Sequence, residues 1–158
     1  MPETLTEAFG IFLIAFVGGL AGATAKHVLF AIAKRAEKKA AIQQSLGEIV
    51  LETLNEIRDL SVEYWQADEC QELRPKAARV VALCDGLPDL YVALFEDETT
   101  TRMLDVKLNR LSNVITGGSF QQSSRKADHT VLSEMETELQ NLVVFFRIEH
   151  SKLKYPWH

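Results

Sequence analysis

Apolar and polar positions along the chain follow two different patterns. From Ala8 to Ala25 eighteen consecutive residues carry no charge, AFGIFLIAFVGGLAGATA. From Lys34 onward apolar residues instead recur at three- and four-residue spacing among charged ones, as in helices that bury a single stripe. At 1.5 Å per residue the first stretch spans about 27 Å, against a hydrocarbon core of ~30 Å. Lipid offers no hydrogen-bond partners to the backbone, so a lone span must be helical. The apolar character resumes after Lys26-His27 as VLFAIA, up to Lys34-Arg35.

The second pattern predicts four helices. Leu46, Ile49, Val50, Leu54, Ile57, Leu60 and Tyr64 form the stripe of a long first helix, with Gly47 as its expected bend. Arg74-Pro75 opens the second, since proline fits the first turn. Its buried side is Val80, Val81, Leu83, Cys84, Leu87, Leu90, Tyr91, Leu94 and Phe95. Gly86-Leu87-Pro88 predicts a kink or a break within it. Thr99–Thr101 offers caps for a third helix carrying Leu104, Leu108, Leu111 and Ile115, which ends at Gly117-Gly118. After a polar loop over 117–129, Asp128 or Thr130 caps a fourth, whose stripe is Leu132, Met135, Leu139, Leu142, Phe146 and Leu153. The expected fold is all-α: an N-terminal transmembrane helix, then an up-and-down cytoplasmic bundle of about four helices. That up-and-down order would return the C-terminal KLKYPWH to the lipid surface, where Tyr155 and Trp157 are favoured residue types.

Charge orients the expected anchor. Residues 1–25 carry two acids and no base, 26–39 five bases and one acid, and the rest 12 bases and 19 acids. Bases cluster on the cytoplasmic side of a span, so the N-terminus is expected outside and the C-terminal domain inside. The boundaries are then a short extracytoplasmic segment (1–7), the transmembrane helix with its juxtamembrane extension (8–33) and a cytoplasmic helical domain (34–158). Lys34, Arg35, Lys38 and Lys39 would meet anionic headgroups. An acidic soluble part argues against nucleic acid as a partner. Ala23-Thr24-Ala25 imitates a signal-peptidase site, but the acidic start and downstream bases reverse the secretory polarity. A buried core helix is the other reading of a run this short.

On a 100° wheel Ala15, Gly18, Gly19, Gly22 and Ala23 share one side of the anchor. Phe9, Leu13, Phe16 and Leu20 share another. A smooth face with glycines four apart lets a second helix approach closely, so a homo-oligomer or a larger membrane partner is expected. Lys26 falls on that smooth face. A charge there either snorkels to the interface or points into an assembly.

Chemical motifs are sparse. His27, His129, His150 and His158 are scattered without metal-ligand spacing, no nucleophile elbow occurs, and Cys70 and Cys84 lack an activating setting. The expectation is no enzyme, no metal and no cofactor. Thr116-Gly117-Gly118-Ser119, followed by Arg125 and Lys126, is the best polar candidate: glycine amides, hydroxyls and two bases can cradle an anion or meet a partner.

An uncharged N-terminal helix, Tyr64-Trp65 closing a long helix, and Thr116-Gly117-Gly118-Ser119-Phe120 before a polar loop together resemble short single-pass proteins of bacterial genomes and prophages. The resemblance implies a bacterial inner-membrane setting and carries no activity. The expected function is a membrane-anchored interaction module whose bundle binds a cytoplasmic protein. The alternative is a membrane-perturbing effector, of toxin or phage-defence type, that oligomerises around Lys26.

Overall fold

The computed structural model describes the backbone of residues 3–153 and the side chains of residues 30–153. Within these limits the chain is all-helical: α1 (Glu3–Gln66), α2 (Arg74–Leu94), α3 (Glu98–Thr116) and α4 (His129–Lys152). A short 3₁₀ turn, Gln71–Leu73, precedes α2. Among the described residues no helix is long and apolar enough to cross a membrane. The predicted span, Ala8–Ala25, lies outside the residues whose side chains are described. The chain divides into two compact units between Ala41 and Ile42. In the first, Phe30 and Ile32 are exposed, as are Lys34, Arg35, Lys38 and Lys39.

Ile42–Lys154 is a four-helix bundle, and pairs of contacts give its order. Lys76 and Arg79 of α2 bridge Glu63 and Glu56 of α1, so residue numbers rise on one helix as they fall on the other. Tyr91 of α2 donates to Asp105 of α3 at 2.7 Å. Lys107 of α3 lies over the Phe145 ring of α4. Arg58 pairs with Glu136, while Gly47 meets His150, so α4 runs antiparallel to α1. Each helix thus packs against its sequence neighbour and the last closes on the first. That is the predicted up-and-down arrangement.

One stripe per helix fills the core: Val50, Leu54 and Ile57; Val80, Cys84, Leu87, Tyr91 and Leu94; Leu104, Leu108, Leu111 and Ile115; Met135, Leu139, Leu142 and Phe146. Burying each large side chain contributes roughly 1.5–3 kcal/mol. Phe95 meets Phe146 edge-on, ring centroids 5.8 Å apart, where the α2–α3 turn passes α4.

The expectations for Ile49 and for the cap of α3 are corrected, and Gly47 and Pro88 gain a structural setting. α1 continues without a break through Gly47, where a Cβ would lie 2.4 Å from Nε2 of His150. The glycine makes room for that ring, which stacks on Phe146 at 5.6 Å. Ile49, expected in the stripe, is exposed, because Val50 and Leu54 already point to the core on the neighbouring arc. Pro88 does not break α2, which continues to Leu94. Proline costs the helix one bond at the Cys84 carbonyl, but Cys84, Leu87, Tyr91 and Leu94 are all buried and anchor both halves in the core. Finally, the cap of α3 is Asp97 and not the threonine run. Its carboxylate accepts from the Thr100 amide at 2.8 Å and the Thr100 hydroxyl at 2.7 Å. These two bonds hold the Asp97 carboxyl below its usual range.

Candidate functional site

The most elaborate polar structure closes the end of the bundle where α1 ends and α4 begins. Tyr64 and Trp65 terminate the apolar stripe of α1 with both rings buried and set edge to face, centroids 5.4 Å apart. Phe120 from the α3–α4 loop packs against both. The Trp65 indole donates to the Ile115 carbonyl at 3.1 Å, fixing α1 to the end of α3. Tyr64 Oη accepts from the Gln121 amide at 2.8 Å.

Arg125 is the centre of this closure. Its side chain is 0% exposed, with the guanidinium 4.0 Å over Tyr64 and 5.1 Å from the Trp65 ring. It donates to the Ala67 carbonyl at 2.8 Å and to the Glu69 carboxylate at 3.4 Å. Planar guanidinium groups stack on aromatic faces in a way an ammonium cannot. Backbone bonds add to the latch: Glu69 N to Arg125 O at 2.9 Å, and Asp128 N to Trp65 O at 3.0 Å. Lys126 pairs with Asp68 at 2.9 Å, and the Ala127 amide donates to the other Asp68 oxygen. Both interactions, the Lys126 bond first, lower the Asp68 carboxyl from its ordinary value.

The loop itself is built as a cap. Gly117 ends α3 in extended backbone, and a Cβ on it would meet the Asn113 carbonyl at 2.5 Å. Gly118 has φ +59°, a left-handed conformation that favours glycine. Thr116 Oγ1 bonds back to the Ser112 carbonyl at 2.7 Å. Asp128 caps α4 by accepting from the Thr130 and Val131 amides at 2.9 and 3.2 Å. Of the two caps predicted, Asp128 is the one used.

The predicted anion site therefore divides. Thr116, Gly117, Gly118 and Ser119 form a turn at the surface, whereas Arg125 points inward and Lys126 is taken by Asp68. The two bases do not converge on the glycines. Beside the turn runs a groove of about 330 Å³ between α3 and α4, with Gly117, Gly118, Ser119 and Val114 on one wall and Asp128, Val131 and Glu134 on the other. A second hollow of about 220 Å³ shares Val114 and Glu134 and continues along the seam past Thr137 and Glu138. The charges lining both are carboxylates, so the groove repels the anion the sequence suggested.

Other expected positions fall in separate places. Cys84 is buried and Cys70 exposed, both as free thiols. Burial, reinforced by Asp85 and opposed by a hydrogen bond to Ser112, pushes the Cys84 thiol up to about 11, away from nucleophilic use. No cluster of metal-ligating side chains occurs among the described residues. Ala15, Gly18, Gly19, Gly22, Ala23 and Lys26 lie outside the residues whose side chains are described, and Tyr155 and Trp157 outside the described chain. Sequence reasoning missed the buried role of Arg125, because an arginine in a polar loop reads as solvated. The nearby Tyr64-Trp65 pair was the available signal, an aromatic platform without an assigned cation. No protein-family model, curated protein or solved structure matches the chain.

Proposed function

We propose that this chain is a membrane-anchored, non-enzymatic interaction module. Residues 8–25 cross the bilayer, the segment after them lies at the cytoplasmic surface, and the helical bundle binds a partner protein. The observation that carries the reading is the uncharged run from Ala8 to Ala25 followed at once by five bases within 26–39. A bacterial inner-membrane setting agrees with the resemblance of the chain to short single-pass proteins. The bundle supports the role of a presented surface: most of the polar groups at its closed end bond to one another, and grooves and faces are what it offers a partner.

Membrane fractionation with alkaline extraction, combined with reporter fusions at both termini, tests this. The expected result is a pellet released only by detergent, an active periplasmic reporter at the N-terminus and a cytoplasmic one at the C-terminus. Release by carbonate, or the opposite orientation, refutes it. Lys26 on the glycine-bearing side of the anchor favours a second reading, in which the assembled helices open a leak path. That reading requires induced expression to depolarise cells, and Lys26→Leu to alter the effect. A chain that is expressed at full level without depolarisation excludes it.

A further inference from the structure

The outer side of the α3–α4 hairpin exposes large apolar side chains. The inner stripe of α4 is already buried in the core. Yet Val144 is 53% exposed, Ile148 49%, and Met103 on α3 43%. On α4 the positions Thr137, Asn141, Val144 and Ile148 recur at spacings of four and three, so they line one helical edge. That edge meets the hollows between α3 and α4 at Thr137, which lines the smaller one, while Glu134 lines both. From Asp128 to Ile148 the strip is about 30 Å long at 1.5 Å per residue.

Its charge is one-sided at the loop end. Asp128, Glu134 and Glu138 line the hollows, and no lysine or arginine does. Three other acids are paired across facing helices: Glu56 with Arg79, Glu63 with Lys76, and Glu136 with Arg58. Glu134 and Glu138 have no ion-pair partner among the described residues. A groove with Val114 and Val131 on its walls and two carboxylates on its rim complements one kind of occupant: an amphipathic segment with lysine or arginine beside its apolar stripe.

We propose that the α3–α4 groove is the docking site for such a basic amphipathic segment of a partner protein. The proposal rests on reading the bundle as an interaction module and names the chemistry of its partner. An apolar side chain of the segment seats on Val114 and Val131, its bases meet Glu134 and Glu138, and its further turns cover Val144 and Ile148.

The test uses the full chain in phosphatidylcholine nanodiscs, panned against a phage library of random 16-residue peptides after depletion on empty nanodiscs. Selected peptides are then synthesised and measured by fluorescence anisotropy. The expected binders carry Lys or Arg flanking apolar residues at three- and four-residue spacing, and bind more weakly as salt rises. Glu134→Lys with Glu138→Lys should weaken them at least tenfold, Val144→Asp with Ile148→Asp comparably, and Glu52→Lys on α1 less than twofold. Glu138 is half-buried and the other positions are exposed, and a circular dichroism melt checks each fold; the milder pair Glu134→Gln with Glu138→Gln serves if the reversal unfolds. Binders without net positive charge, or affinity unchanged by the groove substitutions, overturn the proposal. So does a change in oligomeric state without loss of peptide, which would give the groove to a second copy. A failed groove in a chain still extracted only by detergent leaves the anchor standing, so the two failures are separable.

Discussion

Arg125→Ala is the sharpest perturbation of the closed end of the bundle. The guanidinium is 0% exposed and the Glu69 carboxylate it meets only 5%. Deleting it strands that carboxylate with Arg74 alone, at 3.6 Å and on an exposed side chain. It also removes the donor to the Ala67 carbonyl and the cation over Tyr64. Breaking a buried pair by removing one partner costs about 3–5 kcal/mol. For a bundle of this size that lowers Tm by roughly 10–20 °C. Arg125→Lys keeps the charge but loses the planar fork and the stacking, so it should fall between wild type and alanine. The measurement is a thermal melt of the full chain in nanodiscs, followed by ellipticity and by tryptophan emission, to which Trp65 in the knot contributes. Glu69→Gln supplies the control: with the carboxylate neutralised, Arg125→Ala should cost about 1–2 kcal/mol less than in the wild-type background. A drop below about 3 °C for Arg125→Ala, or an identical cost in both backgrounds, would show that the arginine fills space and no more.

Three further outcomes are expected. Gly47→Ala should destabilise despite the roughly 1 kcal/mol helix preference for alanine, because its Cβ would overlap the His150 ring stacked on Phe146. In a His150→Ala background the same substitution should stabilise, and a melt that shows one sign in both backgrounds contradicts the contact. Alkaline stability follows from two raised groups: Cys84 goes from 9.0 up to about 11, and burial with the Asp105 bond raises Tyr91 above its usual 10. Both folded-state values lie above the unfolded ones, so this stability is present below pH 9 and is lost as pH climbs from 9 toward 11. Cys84→Ala should flatten that slope, removing roughly 2–3 kcal/mol of pH-dependent change at most; a pH titration of Tm that keeps its wild-type slope refutes it. Gly18→Ile with Gly22→Ile should reduce the dimer signal of a membrane-association reporter severalfold, and an unchanged signal removes self-association through that face.

The helices were legible because burial follows spacing: Val50, Leu54, Ile57 and Tyr64 are all in the core, as the 3.6-residue period requires. The start of α2 at Arg74, the Asp128 cap and the end of α3 before Gly117-Gly118 were equally local, written in residues that fix the backbone themselves. What was not legible was non-local. Gly47 reads as a bend in its own helix, and its contact with His150, about a hundred positions later, is invisible there. Gly86-Leu87-Pro88 reads as a kink or a break, and buried residues on either side of Pro88 keep α2 in one piece. Arg125 reads as a surface cation because its partners, Tyr64 and Glu69, are about sixty residues away. The groove was half visible: Gly117, Gly118 and Ser119 do line it, but its acidic wall comes from α4 and reverses the sign of the expected ligand.

The latch between the end of α1 and residues 115–128 also sets an order of events during synthesis. Tyr64 and Trp65 leave the ribosome early, but Ile115, Phe120 and Arg125 that cover them come much later, and α4 later still. At about 5–20 residues per second the interval is several seconds or more. Throughout it, the aromatic end of α1 is uncovered, and cooperative closure waits for the last helix to meet the first. Truncations that stop before Arg125 should therefore fail as folding units, however complete their first three helices look.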